Sequence, residues 1–485
     1  MKKMKKFNKY ILIGLSILLI NISCTSYVED YFIQPNGIEE TTSAQQLLAV
    51  ELSNQFFHKA DGLRLAMMWM NQAKGAKRQY QTLDDWNNAS GSDFDGPWNE
   101  VYLTITRADD LIEMAEAEDN APLKGVGQIF KAWGGGEAAS LWGDVPFSQV
   151  NKPVQYPDPV YENQSVVFDE VQSLLDDAIN NLSTSGFIFN QNADKIKDIY
   201  FKGQSQKWIK IAHALKARFY LHAKDYTNAL SEAMLGPSSL DDDLFAKFSS
   251  DTENDAWGEF NPTAQFYIQR SGDMNAENVY ALSLFSSRGN SKTNDSGRKN
   301  YNYSSNDLNI SFSGSKAGKF FGEMPLVTYG EMLLIATECK LRENGNPNAI
   351  SDALTYYNTY RALLRNGQYM GGYAPQTYND YDVADFEPGG MENTNGSLTA
   401  KEAFLKEIFE ERYLYFIGDY ESFIDFARSF NDNDVPAYME LRTDDNGNPK
   451  YENQPLRFIY PQVDEDANDN FPGRISIETP LPIYQ

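Results

Sequence analysis

Histidine and cysteine are almost missing from this chain. Its 485 residues include three histidines (His58, His213, His222) and two cysteines (Cys24, Cys339). That scarcity excludes a disulfide-stapled scaffold and leaves little material for a His/Cys metal centre or a thiol–imidazole nucleophile. Cys339 follows the apolar pattern Met332–Ala336 with no histidine near it in sequence, so it reads as a small buried hydrophobe. Positive charge is also short: 42 Lys and Arg stand against 68 Asp and Glu, a formal net charge of −26. Such a balance excludes nucleic acid, which needs a basic footprint, and disfavours polyanionic ligands over most of the surface. Neutral glycans, peptides and cationic partners stay open, and the excess acid equally keeps a protein dispersed.

Several catalytic patterns are absent too. The chain has no His-Glu-x-x-His and no Gly-x-Ser-x-Gly. Gly314-Ser315-Lys316-Ala317-Gly318-Lys319-Phe320 falls short of a phosphate loop: it has one residue too few between its glycines. Phe320 also stands where a hydroxyl must ligate magnesium. Asp464-Glu465-Asp466-Ala467-Asn468-Asp469 begins like a calcium loop but lacks glycine at its sixth position and carries Ile475 where a bidentate Glu belongs. Glu410 and Glu411 are neighbours on a helix and point apart, which disfavours a glycosidase pair. No cofactor and no metal are implied.

What is present begins at the N-terminus. Lys2, Lys3, Lys5, Lys6 and Lys9 precede an apolar run from Tyr10 to Ile20, followed by Asn21-Ile22-Ser23 and Cys24. This is the layout of an export signal. Its eleven-residue core is shorter than the roughly 20 residues a bilayer-spanning helix needs. Ser before Cys resembles a bacterial lipobox, which would make Cys24 the lipidated first residue; otherwise Cys24 is incidental in a soluble secreted protein. Without residues 1–23 the chain keeps 37 basic and 68 acidic residues, a net −31.

Length alone suggests two or three domains. Residues 24–42 read as an extended tether arm. Helices are expected at about 44–74, 98–118, 122–141, 166–182, 204–223, 328–344, 348–365 and 400–417. In the fourth of these Val167, Val171, Leu174, Leu175, Ala178 and Leu182 form one continuous stripe. Gly134-Gly135-Gly136 inside the third requires either a close approach of another backbone or a local break. Irregular, Gly-, Asn- and Tyr-rich segments fall near 75–98, 236–325 and 366–398. The pairs at 204–235 and 328–365 each resemble a tetratricopeptide unit of about 34 residues. His213 and His222 read as core-edge or surface residues.

Aromatics are abundant, with 29 Tyr, 29 Phe and 7 Trp. In the irregular segments they suit ligand contact, because flat rings cover the C–H faces of sugars while Asn and Asp meet hydroxyls. The candidate contacts are Tyr80, Trp86, Asn88 and Trp98 in the first segment and Trp257, Tyr301 and Tyr303 in the second. Trp98 also opens a helix, where burial is an equal alternative. Trp86, flanked on both sides by polar residues, is the stronger candidate: Trp86→Ala is expected to weaken binding with little loss of thermal stability.

Five segments in order then resemble one family. They are Trp142-Gly143-Asp144-Val145-Pro146-Phe147-Ser148; Trp208 with Ala214-Leu215-Lys216-Ala217-Arg218; Glu331–Ala336 with Glu338; Glu411-Arg412 with Asp425 and Arg428; and Pro455–Pro461 with Glu465 and Asn468. Together they are similar to the SusD/RagB outer-membrane lipoproteins of Bacteroidetes, although Asp419-Tyr420-Glu421 after Gly418 departs from the usual Glu and Arg. The resemblance implies a mainly α fold, a tetratricopeptide-like helix-pair scaffold whose long irregular loops form the ligand face, as a single domain over 43–485. It implies a non-enzymatic surface lipoprotein, held to the outer membrane through Cys24. Such a protein would capture an oligosaccharide and pass it to a TonB-dependent SusC-like transporter. A peptide-binding member of the same family, a scaffold that holds other proteins without a ligand, and an unrecognised hydrolase are the alternatives.

Overall fold

The structure, a computed structural model, describes residues 41–195, 197–248, 261–305, 307–308, 323–371, 373–374, 376–434 and 453–485. The export segment, Cys24 and Trp257 lie outside them. The described fold from Ser43 to Gln485 is one compact unit, mainly helical with a few strands of two to four residues.

The scaffold helices are α1 (Ser43–Lys59), α2 (Asp61–Trp69), α3 (Asp95–Ala117), α4 (Ala121–Trp142), α5 (Gln164–Leu182), α6 (Ser205–His222), α7 (Tyr226–Ala233), α8 (Tyr329–Leu341), α9 (Ala349–Arg365), α10 (Ala400–Tyr415) and α11 (Glu421–Ser429). Helices α3 and α4 pack as a hairpin across Glu118–Asn120, where the Asn120 side chain accepts from Leu123 N and Pro122 sits in the first turn. The pairs α6/α7 and α8/α9 pack in the tetratricopeptide manner, with Gly345 at φ +73° in the second turn. The α5 stripe is buried as its spacing requires: Val167, Val171, Leu175, Ala178 and Leu182 are inaccessible and Leu174 is half-buried. Cys339 is buried in α8 and burial pushes its thiol far up, so it packs as a hydrophobe.

Three expectations need correcting. The long first helix is two: the chain breaks at Ala60 (φ −110°, ψ −134°) and restarts at Asp61. The glycine triplet causes no break in α4, and side chains rather than backbone fill its space. A Cβ on Gly134 would lie 2.7 Å from Ile105, on Gly135 2.3 Å from Phe147, and on Gly136 2.3 Å from Phe219. Each glycine therefore receives a side chain of a different segment, and an Ala at Gly135 or Gly136 would force an aromatic ring out. Finally, the 236–325 stretch is not featureless. It carries helices Pro262–Gln269, Tyr280–Ser287 and Ser296–Asn302.

Short strand pairs stitch the three irregular segments together. Lys74–Gly75 pairs with Met274–Asn275, and Thr293–Asn294 pairs with Thr377–Tyr378, both antiparallel. The loops thus form one connected layer on the helical scaffold. Among the described residues no helix is long and apolar enough to cross a membrane.

Candidate functional site

Two sequence motifs more than 300 residues apart build a cleft. Helix α4 ends at Gly143, whose φ of +95° turns the chain sharply. Trp142 then donates to Ile459 O at 2.9 Å, and its own carbonyl accepts from Arg457. Tyr460 Oη donates to Asp144 O at 2.6 Å, while Asp144 Oδ1 caps α5 by accepting from Gln164 N at 2.8 Å. Beyond the turn, Glu162 Oε1 accepts from Phe147 N, Ser148 N and Ser148 Oγ at 3.2, 2.7 and 2.9 Å. The loop from Gln149 to Val160 is therefore pinned at its base, and it closes on itself through Val160 N donating to Gln149 Oε1.

The facing wall comes from α3. A capping box between Ser90 and Asp93 starts the turn before it. Trp98 and Tyr102 then fall one helical turn apart, with ring centroids 4.6 Å apart. The open cleft has a volume of about 360 Å³, within the range of small-ligand sites. Trp98, Tyr102, Tyr156 and four prolines give it flat apolar faces; Asn99, Gln149, Asn151, Lys152 and Asp464 give it polar ones. Trp69, Trp133, Trp142 and Trp208 all donate their indole N–H to the protein. Trp98 is only 5% exposed and packs in the main core, so it meets the cleft with a small part of its ring. Asp464 accepts from Tyr161 and Asn468, yet burial outweighs both and pushes its carboxyl up. It is the sole carboxylate lining the cleft. That supplies recognition of hydroxyls but not the two carboxyl groups of glycoside hydrolysis.

The other sequence candidates are placed differently. Tyr80, Trp86 and Tyr303 belong to the core, correcting the expectation that they face a ligand. Tyr80 Oη accepts from Arg64 Nε at 3.0 Å and Tyr303 Oη donates to Gln72 O at 2.8 Å. Trp86 is 1% exposed, and the acidic residues before it are spent on backbone donors: Asp84 accepts from Gly75 N of the neighbouring strand, and Asp85 from Asn87 N in its own turn. Asn88 is exposed and donates to Thr82 O. Tyr301 is half-buried beside Tyr373, at a centroid distance of 6.1 Å, away from the Trp98 cleft. Sequence reasoning missed Tyr102, Tyr156 and Asp464. Only the spacing Trp98–Tyr102 carried a signal, that of two rings on one helical face.

His222 is also corrected: it is buried between Ser140 Oγ (2.8 Å) and Glu421 Oε2 (3.1 Å). Between Trp98 and Tyr102 sits Glu100, whose pKa burial raises to about 8 against the lowering influence of Arg64. Folded Glu100 holds its proton more tightly than the unfolded chain, so stability falls as pH rises from the ordinary carboxylate range to about 8. Glu100→Gln should remove part of that slope. Its unfolding free energy from urea titration at pH 9 should exceed the parent's by on the order of 2 kcal/mol, with little difference at pH 4, once solvent screening is allowed for. Equal pH profiles for parent and variant would refute this.

A helix-pair scaffold with a loop-walled aromatic cleft and one carboxylate defines a binding protein. The chain belongs to the SusD-like family, whose model, described as starch-binding associating with outer membrane, matches residues 35–461. No curated protein matches the chain. Among solved structures, a SusD/RagB family protein of Bacteroides thetaiotaomicron is 20% identical, covering 89% of this chain and 95% of its own with a TM-score of 0.62. A SusD homologue of Parabacteroides distasonis is 16% identical over 91% and 98%, TM-score 0.63. A chitin-binding SusD homologue of Flavobacterium johnsoniae is 13% identical over 91% and 97%, TM-score 0.62. At these identities the likeness is one of fold.

Proposed function

We propose that this protein is an outer-membrane lipoprotein, anchored through Cys24 and exposed at the cell surface. It captures an oligosaccharide and delivers it to a TonB-dependent SusC-like transporter. The observation that carries the reading is the Trp98 cleft: aromatic and proline faces, amides and a single carboxylate in about 360 Å³. Sugars present C–H faces for rings and hydroxyls for donors and acceptors, and this lining supplies both. The export-type N-terminus supports the anchor, and family membership supports the outer-membrane setting. The chitin-binding relative favours a glycan over a peptide. Of the remaining sequence candidates, exposed Asn88 and half-buried Tyr301 on the loop layer are proposed as peripheral contacts.

The soluble form lacking residues 1–24 should bind a member of a neutral oligosaccharide panel in calorimetry. Tyr156→Ala, at the half-buried rim, should weaken that binding by about ten-fold, the equivalent of ~1.4 kcal/mol, without shifting the melting temperature. Binding to a peptide panel with no response to any glycan would overturn the proposal.

A further inference from the structure

A second depression lies on the loop layer, away from the Trp98 cleft. It has a volume of about 440 Å³ and is floored by Phe285. Its rim carries Ser286, Asn294, Ser296 and Lys299, and its only carboxylate is Asp295. Asp295 is 1% exposed and fully engaged: Arg288 and Arg298 approach it at 3.3 and 3.1 Å, and Tyr378 Oη donates to it at 2.7 Å.

Ion pairs fill the layer beneath. Asp295, Glu407, Glu410 and Glu411 face Arg288, Arg298, Arg361 and Lys406 in one connected set, with Glu392 beside it. Lys299 stands outside that set. It is half-buried, lines the depression and has no carboxylate partner among the described residues, on a chain of net charge −26. Beside it Asn294 spends its carbonyl oxygen on Ser296 N and Oγ, at 3.0 and 2.6 Å, which leaves its N–H groups unused. Ser286 and Ser296 spend their hydroxyl protons on Leu282 O and Asn294 Oδ1, so the unspent donors at the rim are the Asn294 amide and the Lys299 ammonium. An ammonium with no carboxylate partner beside an unspent amide N–H selects an anionic group.

We infer that this depression is a second binding site, taking the anionic substituent of an acidic sugar residue, a carboxylate or a sulfate ester, against Lys299. This rests on the oligosaccharide-capture reading and adds a substrate class to it.

The test uses the soluble form lacking residues 1–24 with two matched pairs: oligogalacturonate against its methyl ester, and a sulfated galactan oligosaccharide against its desulfated form. In at least one pair the anionic member should bind roughly five-fold tighter or more, the scale of one solvent-screened charge pair, and the advantage should shrink as salt rises. Which pair responds tells carboxylate from sulfate. Lys299→Gln should abolish the difference while leaving the neutral member's affinity unchanged. Equal binding within both pairs, or a difference that survives Lys299→Gln, overturns the inference and leaves capture of neutral glycan intact. Failure of every oligosaccharide, charged or neutral, overturns the capture reading itself.

Discussion

Replacing Arg218 by Met is expected to destabilise the fold by about 3–5 kcal/mol, the cost of stripping a buried carboxylate of its partner. Arg218 lies on α6 and is 2% exposed. Its Nε and Nη2 donate to the two oxygens of Glu331 at 2.7 and 2.8 Å, Nη2 also donates to Leu326 O at 2.7 Å, and Nη1 reaches Glu137 at 3.3 Å. Glu421 lies 3.4 Å from Nε and is also held by His222 and Arg412. One guanidinium therefore ties α4, α6, α8 and α11 together at the scaffold's centre. Without it Glu137 and Glu331 have no comparable counter-charge, and both must take up protons to stay buried. Burial already raises Glu137 to about 8 in the intact protein. The loss should accordingly be larger at pH 8 than at pH 5, because neutralising the stranded acids becomes harder as protons become scarce. Urea unfolding followed by circular dichroism at the two pH values measures this. A loss below about 1 kcal/mol, or one independent of pH, would contradict the network's role.

Trp86→Ala is expected to cost about 3–5 kcal/mol, as large aromatic-to-alanine changes in cores do. This reverses the sequence-based expectation of a stable variant with weakened binding. The indole is packed in the main core beneath the Asp85–Ala89 turn, so its removal leaves a cavity that the pinned turn cannot collapse to fill. Trp86→Phe should recover part of the loss. A melting temperature for Trp86→Ala within a degree of the parent's would place the ring at the surface after all.

Sequence reading located the helices and stopped at the loop aromatics. Helical periodicity located α5 and both tetratricopeptide-type pairs, because a 3.6-residue stripe is a local pattern that tertiary packing merely completes. Trp142-Gly143-Asp144-Val145-Pro146-Phe147-Ser148 and Pro455–Pro461 were each recognisable as motifs, but that they clasp each other is set by contacts across 315 residues. Polar neighbours suggested that Trp86 is exposed. They fail as a guide because Asp84 and Asp85 spend their side chains on the backbone donors Gly75 N and Asn87 N, which frees the indole to face inward.

Sequence by itself determined the acidic net charge, the helical scaffold and the SusD-like character, all of which rest on composition, local periodicity or short motifs. Tertiary structure alone decided which rings line a cleft and which are buried in the core. The Trp98 cleft joins α3, the Gln149–Val160 loop and Asp464, and the Tyr161–Asp464 contact spans 303 residues. The buried Arg218–Glu331 pair spans 113. Burial and charge pairing at such separations depend on which chain segments arrive together, and no local window of residues encodes that.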